Sequence, residues 1–265
     1  MGDATRSDAE IEIAAAVNDR AVLANCLERS PDIVSGRARL RTYEGFSTAG
    51  AAYERALAEA AGPYLVLAHQ DVYLPAGFAK RLAEQMAQVA RIDPNWAAAG
   101  VIGIDATGAV RGQTWSSGLG KLVGAKVEAP VAVETLDEVL LVVRRDCGVH
   151  FDLDLPSFHL YAADFVQTAK MGGLSCYAAD LPIVHHSRPV VELSGGYRKA
   201  YIYMQRKWRR SLPLPNLVCV IDRSPLPLLR RDLSMRLRAR GKTERSEPTG
   251  DPVLIARQLG LEEAV

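Results

Sequence analysis

The chain has 265 residues, of which 48% are apolar and 24% charged, and its formal net charge is +1. That is the balance of an ordinary globular protein with room for one large α/β domain and a tail, and no apolar run reaches the roughly 20 residues that a membrane-spanning helix needs. The four cysteines, Cys26, Cys147, Cys176 and Cys219, are scattered along the chain, a pattern that suggests neither a disulfide framework nor a zinc cluster.

Residues 1–10 are polar and acidic, unlike a secretory signal, so a flexible N-terminus and a cytoplasmic location are expected. Ile11 to Val17 is a short apolar run that ends at Asn18-Asp19, and Arg20 to Arg29 has helical composition; together they read as strand, cap and helix. Gly50 to Ala61 predicts a helix, and Gly62-Pro63 precedes the buried strand Tyr64-Leu-Val-Leu-Ala68. Ligands of open α/β sheets bind beyond the carboxyl ends of the strands, which singles out His69-Gln70-Asp71 at this strand's end. A helix from Pro75 to about Arg91 and an apolar strand from Trp96 to Ile104 follow. The Gly- and Ser-rich stretch Gln113 to Gly120 reads as a mobile loop, suited to closing over a ligand. Glu138 to Arg144 reads as a further strand, Phe158 to Met171 as a helix, and Ser175 to Val184 as a run leading to His185-His186-Ser187.

From Ser187 the composition changes. Residues 198–245 hold 14 Lys or Arg against 3 Asp or Glu, so this stretch carries +11 and the remainder −10. Tyr197, Tyr201 and Trp208 recur at helical spacings among these cations, which predicts a basic amphipathic helix. Such a helix is suited to a phosphorylated or lipid-linked acceptor, or to the membrane surface that carries one. No nucleic-acid-binding motif accompanies the cations, and none of that class of partner is expected. The division expected is residues 1–10 as N-terminus, 11–190 as the catalytic domain and 191–265 as a basic C-terminal extension.

The order of these parts resembles a family 2 glycosyltransferase with the GT-A fold. The resemblance rests on the opening strand, the stretch from Tyr64 to Pro75, the strand around Val139 to Arg144, the segment Tyr161-Ala-Ala-Asp164 with Gly172 downstream, and the closing His185-His186-Ser187. It implies a mixed, mainly parallel sheet flanked by helices, a nucleoside-diphosphate-sugar donor, a hydroxyl acceptor and a divalent metal, Mn²⁺ or Mg²⁺. It also implies transfer with inversion.

The family's strand-end acidic motif falls on His69-Gln70-Asp71, so the resemblance makes Asp71 a metal ligand and His185 a second, with His186 as the adjacent competitor. An imidazole beside a carboxylate suits Mn²⁺ better than Mg²⁺. Asp164 is the implied base, with Asp152 and Asp154 as alternatives. Asn18, Asp19, Glu44, Gly45, His69 and Gln70 are the expected donor contacts, and Asp137 and Glu138 the expected contacts to sugar or acceptor. A non-catalytic binding or assembly module of the same fold is the second reading, and a sugar nucleotidyltransferase the third. The third lacks its phosphate loop after the first strand, where Val17-Asn-Asp-Arg20 stands.

Overall fold

The computed structural model of the protein describes residues 11–193, 195–238 and 247–262. The N-terminal segment 1–10 lies outside the described residues. In chain order the strands are β1 (Ile11–Val17), β2 (Ala38–Glu44), β3 (Tyr64–Ala68), β4 (Val72–Tyr73), β5 (Trp96–Gly100), β6 (Ile102–Ile104), β7 (Val110–Ser116), β8 (Lys121–Ala125), β9 (Val131–Ala132), β10 (Thr135–Leu136), β11 (Leu140–Arg144), β12 (Ser175–Ala178) and β13 (Val184–His185). The helices are α1 (Arg20–Asn25), α2 (Pro31–Val34), α3 (Ala49–Glu59), α4 (Phe78–Ile92), α5 (Tyr161–Met171), α6 (Gly195–Lys207), α7 (Leu226–Arg238) and α8 (Pro252–Gln258).

Seven strands form the central sheet in the order β2-β1-β3-β11-β5-β12-β9. Neighbours are parallel except where β11 runs against β3 and β5, and where β9 runs against β12. The result is the mixed, mainly parallel sheet expected from the sequence. The centres of its inner strands β3, β11 and β5 are continuous apolar runs because helices cover both faces. Successive side chains of β3 turn to opposite layers: Leu65 and Leu67 join the α3, α5 and α6 side, while Val66 and Ala68 join the side of α1 and α4.

Two expectations from the sequence need correction. The apolar run Trp96 to Ile104 is two strands, because Val101 is the corner at which the chain leaves the central sheet. There β6 enters a second sheet of order β10-β6-β7-β13-β4, with β8 paired to β7. In the expected mobile loop Gln113 to Gly120 the first half, to Ser116, is strand β7, antiparallel to β8, and the second half, residues 117–120, is the turn between them. A glycine of this hairpin lets strands approach: Gly112 has φ +81°, and a Cβ there would lie 2.1 Å from the Val101 carbonyl oxygen. Strand β2, at the sheet edge, was not expected from the sequence; Arg39 and Arg41 interrupt its apolar run.

The basic helix after residue 191 forms as expected, but its aromatic side chains are packing. Ala200, Tyr201, Met204 and Trp208 are buried in the same layer as α3 and α5. Farther on, α8 folds back so that Ile255 and Ala256 pack on Tyr73 and Val184. Its N-cap Asp251 takes a 2.6 Å ion pair from Arg29. Among the described residues no helix is long and apolar enough to cross a membrane.

Candidate metal and donor site

The parallel register of β1 and β2 pairs Val17 with Glu44, so Asn18 and Gly45 leave the sheet side by side at its carboxyl edge. Gln70, just beyond β3, ties this edge together. Its Oε1 accepts from the amides of Asn18 (3.0 Å) and Asp19 (3.1 Å), and its Nε2 donates to Asn18 Oδ1 at 2.6 Å. The Asp19 carboxylate caps α1, accepting from the Ala21 and Val22 amides. Glu44 is ion-paired with Arg20. A cavity of about 620 Å³ opens here, lined by Asn18, Arg20, Glu44, Gly45, His69, Gln70 and Asp71 from the strand ends and by Phe158, His159 and Tyr161 from the entrance to α5. That volume falls in the range of small-molecule sites.

At the floor of this edge three ligand-type side chains converge. His185 Nε2 stands 3.4 Å from Asp71 Oδ2, and His69 Nδ1 stands 4.0 Å from Asp71 Oδ1. Ligand atoms of the three all lie within 4.8 Å of one another. The pairing of β13 with β4 sets His185 opposite Val72, and the His186 amide donates to the Asp71 carbonyl at 2.8 Å, which fixes the approach of the two segments. His186 turns elsewhere, with Nδ1 3.0 Å from Ser117 Oγ. Burial opposes the charge on Asp71, yet the His185 imidazole, aided by His69, holds its carboxyl far below the usual range. Burial likewise opposes a charge on His185, and Asp71 overcomes this and raises its pKa; for His69, burial prevails and lowers it. Two imidazole nitrogens and one carboxylate oxygen form a donor set that fits a borderline divalent ion such as Mn²⁺ and leaves positions for outside oxygen ligands. His69, expected among the donor contacts, therefore stands with Asp71 and His185.

The antiparallel pairing of β11 with β3 sets Leu140 opposite Ala68, so Asp137 and Glu138 arrive next to the His69 segment, whose amide donates to the Val139 carbonyl at 3.1 Å. Burial, and then the charge of Glu138, push the Asp137 carboxyl up to about 6. Glu138 reaches the loop before α5. Its Oε2 accepts from the Leu160 amide at 2.9 Å, its carbonyl accepts from the Tyr161 hydroxyl at 2.7 Å, and its Oε1 lies 3.6 Å from His159 Nδ1. The loop is strained on both sides of His159, with φ +70° at Ser157 and +66° at Leu160. It is held by the Ala49 amide on the Ser157 carbonyl and by Ser157 Oγ on the Gly196 carbonyl. His159 was not singled out from the sequence; the available signal was a histidine between Pro156 and a helix start on the same sheet edge.

Asp164, the expected base, does not line the cavity. It lies one turn into α5, 2% exposed, where Trp208 Nε1 donates to Oδ1 at 2.7 Å and Lys207 Nζ lies 2.8 Å from the carboxylate. Burial raises its pKa against the pull of Lys207 and Trp208. Asp152 accepts from the same Lys207 at 2.6 Å and from the Tyr203 hydroxyl at 2.8 Å, while Asp154 is exposed in the loop. Trp208, expected to face an acceptor, is only 5% exposed.

No protein-family model matches the chain. A curated relative from Fuscovulum blasticum, described as ATP synthase subunits region ORF 6, is 28% identical over 190 residues, which span 69% of this chain and 73% of the relative. Among solved structures, the mannosyltransferase PcManGT from Pyrobaculum calidifontis in complex with GDP-Man and Mn²⁺ aligns with a TM-score of 0.48 at 12% identity, over 95% of this chain and 80% of that one. GalNAc-T7 with UDP, GalNAc and Mn²⁺ gives 0.45 at 10% identity, over 76% and 49%. TarS of S. aureus gives 0.42 at 13%, over 78% and 40%. All three TM-scores lie below one half, and the alignments assign neither activity nor substrate to this chain.

Proposed function

We propose that the chain is a glycosyltransferase of the family 2 type that moves a sugar from a nucleoside diphosphate to a hydroxyl acceptor with inversion. The observation that carries this reading is the convergence of His69, Asp71 and His185 on the carboxyl edge of the sheet, beside a cavity of about 620 Å³. These three residues would hold a divalent cation, Mn²⁺ by their donor set. Bound there, such an ion supplies Lewis-acid stabilisation of the charge that grows on the departing diphosphate.

The rest of the work falls to the protein. Asn18, Glu44 and Gly45 line the part of the cavity where a nucleoside would sit, and Gln70 keeps the Asn18 turn in place. Asp19 contributes through the α1 cap it makes, holding the same turn. For the proton of the acceptor hydroxyl, His159 is the group that lines the cavity with a carboxylate behind it. The Glu138 carboxylate favours the tautomer with the proton on Nδ1, which leaves Nε2 to accept. As the acceptor oxygen bonds to the anomeric carbon, its proton passes to Nε2 and the bond from that carbon to the diphosphate oxygen breaks, its electron pair leaving with the diphosphate. Asp137 stands next to Glu138 and outside the cavity lining, and we assign Asp164 to the anchoring of α6 on α5.

A thermal-shift series of nucleoside diphosphates with and without Mn²⁺ tests the reading, since a ligand of the native state raises apparent stability. A rise for one nucleotide that requires Mn²⁺ is the expected result. Absence of any response to every nucleotide and metal combination would remove the donor from the proposal.

A further inference from the structure

Among the described residues no cation between 198 and 238 lines the cavity, and the helix the sequence singled out for a membrane turns its aromatic side inward. The next helix does the opposite. On α7, Leu228 and Asp232 are buried against the body, while Leu226, Leu229, Leu233 and Leu237 are each between 50% and 60% exposed. Their spacing of three, four and four residues places them on one stripe along about 16 Å of helix, away from the buried side. Arg230 and Arg236 stand on the two flanks of that stripe by the same helical geometry; both are exposed, and Arg236 pairs with Asp232 at 3.1 Å and Glu192 at 2.9 Å. A solvated surface helix carries charge at the centre of its outer face; this one carries leucine there and arginine at its borders.

We propose that α7 is an interfacial helix that docks the chain on an anionic lipid surface. The four leucines would enter the acyl boundary, and Arg230 would extend sideways to the headgroup phosphates, while Arg236 stays paired with Asp232 and Glu192. Charge favours this occupant, because α7 belongs to the stretch that carries +11 while the rest of the chain carries −10. A second copy is a poorer fit. Joining two stripes face to face would bring the arginine flanks of both helices together, and the stripe lacks the aromatic anchors that concentrate binding energy in protein interfaces. The inference is independent of the sugar-transfer reading, since it involves neither the cavity nor its ligands.

The test is co-sedimentation of the full chain, without donor or metal, with vesicles of phosphatidylcholine alone and of phosphatidylcholine mixed with phosphatidylglycerol. Binding is expected at least tenfold stronger to the anionic vesicles and weakened by added salt. A Leu229→Ser, Leu233→Ser double variant is expected to lose binding at least tenfold, and Arg230→Gln to lose several-fold. These exposed substitutions should leave thermal unfolding and nucleotide response unchanged. Equal binding of the parent and the leucine variant to anionic vesicles, or no binding by the parent, would overturn the proposal. So would dimerisation of the parent, abolished in the leucine variant, without any vesicle binding.

Discussion

Trp208 Nε1 donates a 2.7 Å hydrogen bond to Asp164 Oδ1, and the pair fastens α6 to α5 beneath a nearly closed surface. Because a hydrogen bond to a buried charge is worth roughly 1.5–3 kcal/mol, Trp208→Phe is expected to lower stability by about 2 kcal/mol. Lys207→Met removes the countercharge and is expected to cost about 3 kcal/mol or more. Urea unfolding measures both. Metal binding by the folded variants should match the parent, and a loss of metal affinity would bring Asp164 back into the site.

Asp137 gives the fold a pH dependence of definite sign. Its carboxyl titrates near 6 in the folded chain against an ordinary 3.8, first because it is buried and then because Glu138 is beside it. Below the ordinary value both states hold the proton and nothing is lost. As the pH rises between the two values the unfolded chain releases its proton first, so stability falls; above about 6 the whole penalty is present. Asp137→Asn should therefore flatten this part of the stability profile and, near neutral pH in the presence of a chelator, raise stability by roughly 2 kcal/mol. A profile unchanged by the substitution would show that Asp137 titrates normally.

The sheet was legible where burial is two-sided. Tyr64–Ala68 and the apolar centre of β11 are continuous apolar runs because helices cover both faces, and these strands place Asp71, Asp137 and Glu138. Edge strands such as β2 carry charge and lose that signal. The hairpin of β7 and β8 was hidden because its glycines, needed where Gly112 passes Val101, have the composition of a mobile loop. Asp71 and His185 were readable as strand-end groups, but the sequence could not show that His69 turns towards them. Nor could it show that Asp164 faces α6 while His159, five residues earlier, faces the cavity. Both depend on loop backbone around Ser157 and Leu160 whose positive φ no composition rule reveals.

His159 and Glu138 can be separated by kinetics. His159→Ala is expected to lower kcat by about 10²–10⁴-fold with donor affinity unchanged, as for loss of a general base. Glu138→Gln, which keeps the shape but weakens the hold on the imidazole, should lower kcat less and leave KM for the donor close to the parent. Full turnover by the alanine variant would exclude His159 as the proton acceptor.

Metal uptake should itself be linked to protons. Asp71 raises the pKa of His185, and a ligated imidazole must be neutral at the bonding nitrogen, so affinity should fall as the pH is lowered. Isothermal titration in buffers of different ionisation enthalpy would register the released proton, and an affinity independent of pH would count against His185 as a ligand.

The most direct measurement is a Mn²⁺ titration of the full chain and of Asp71→Ala, following free Mn²⁺ by electron paramagnetic resonance with and without nucleoside diphosphate. The expected result is one ion per parent chain, tightened by the nucleotide that also gives a thermal shift, and an affinity at least tenfold weaker in the variant. Equal Mn²⁺ affinity in the two proteins, in the presence of that nucleotide, would contradict a cation held at Asp71.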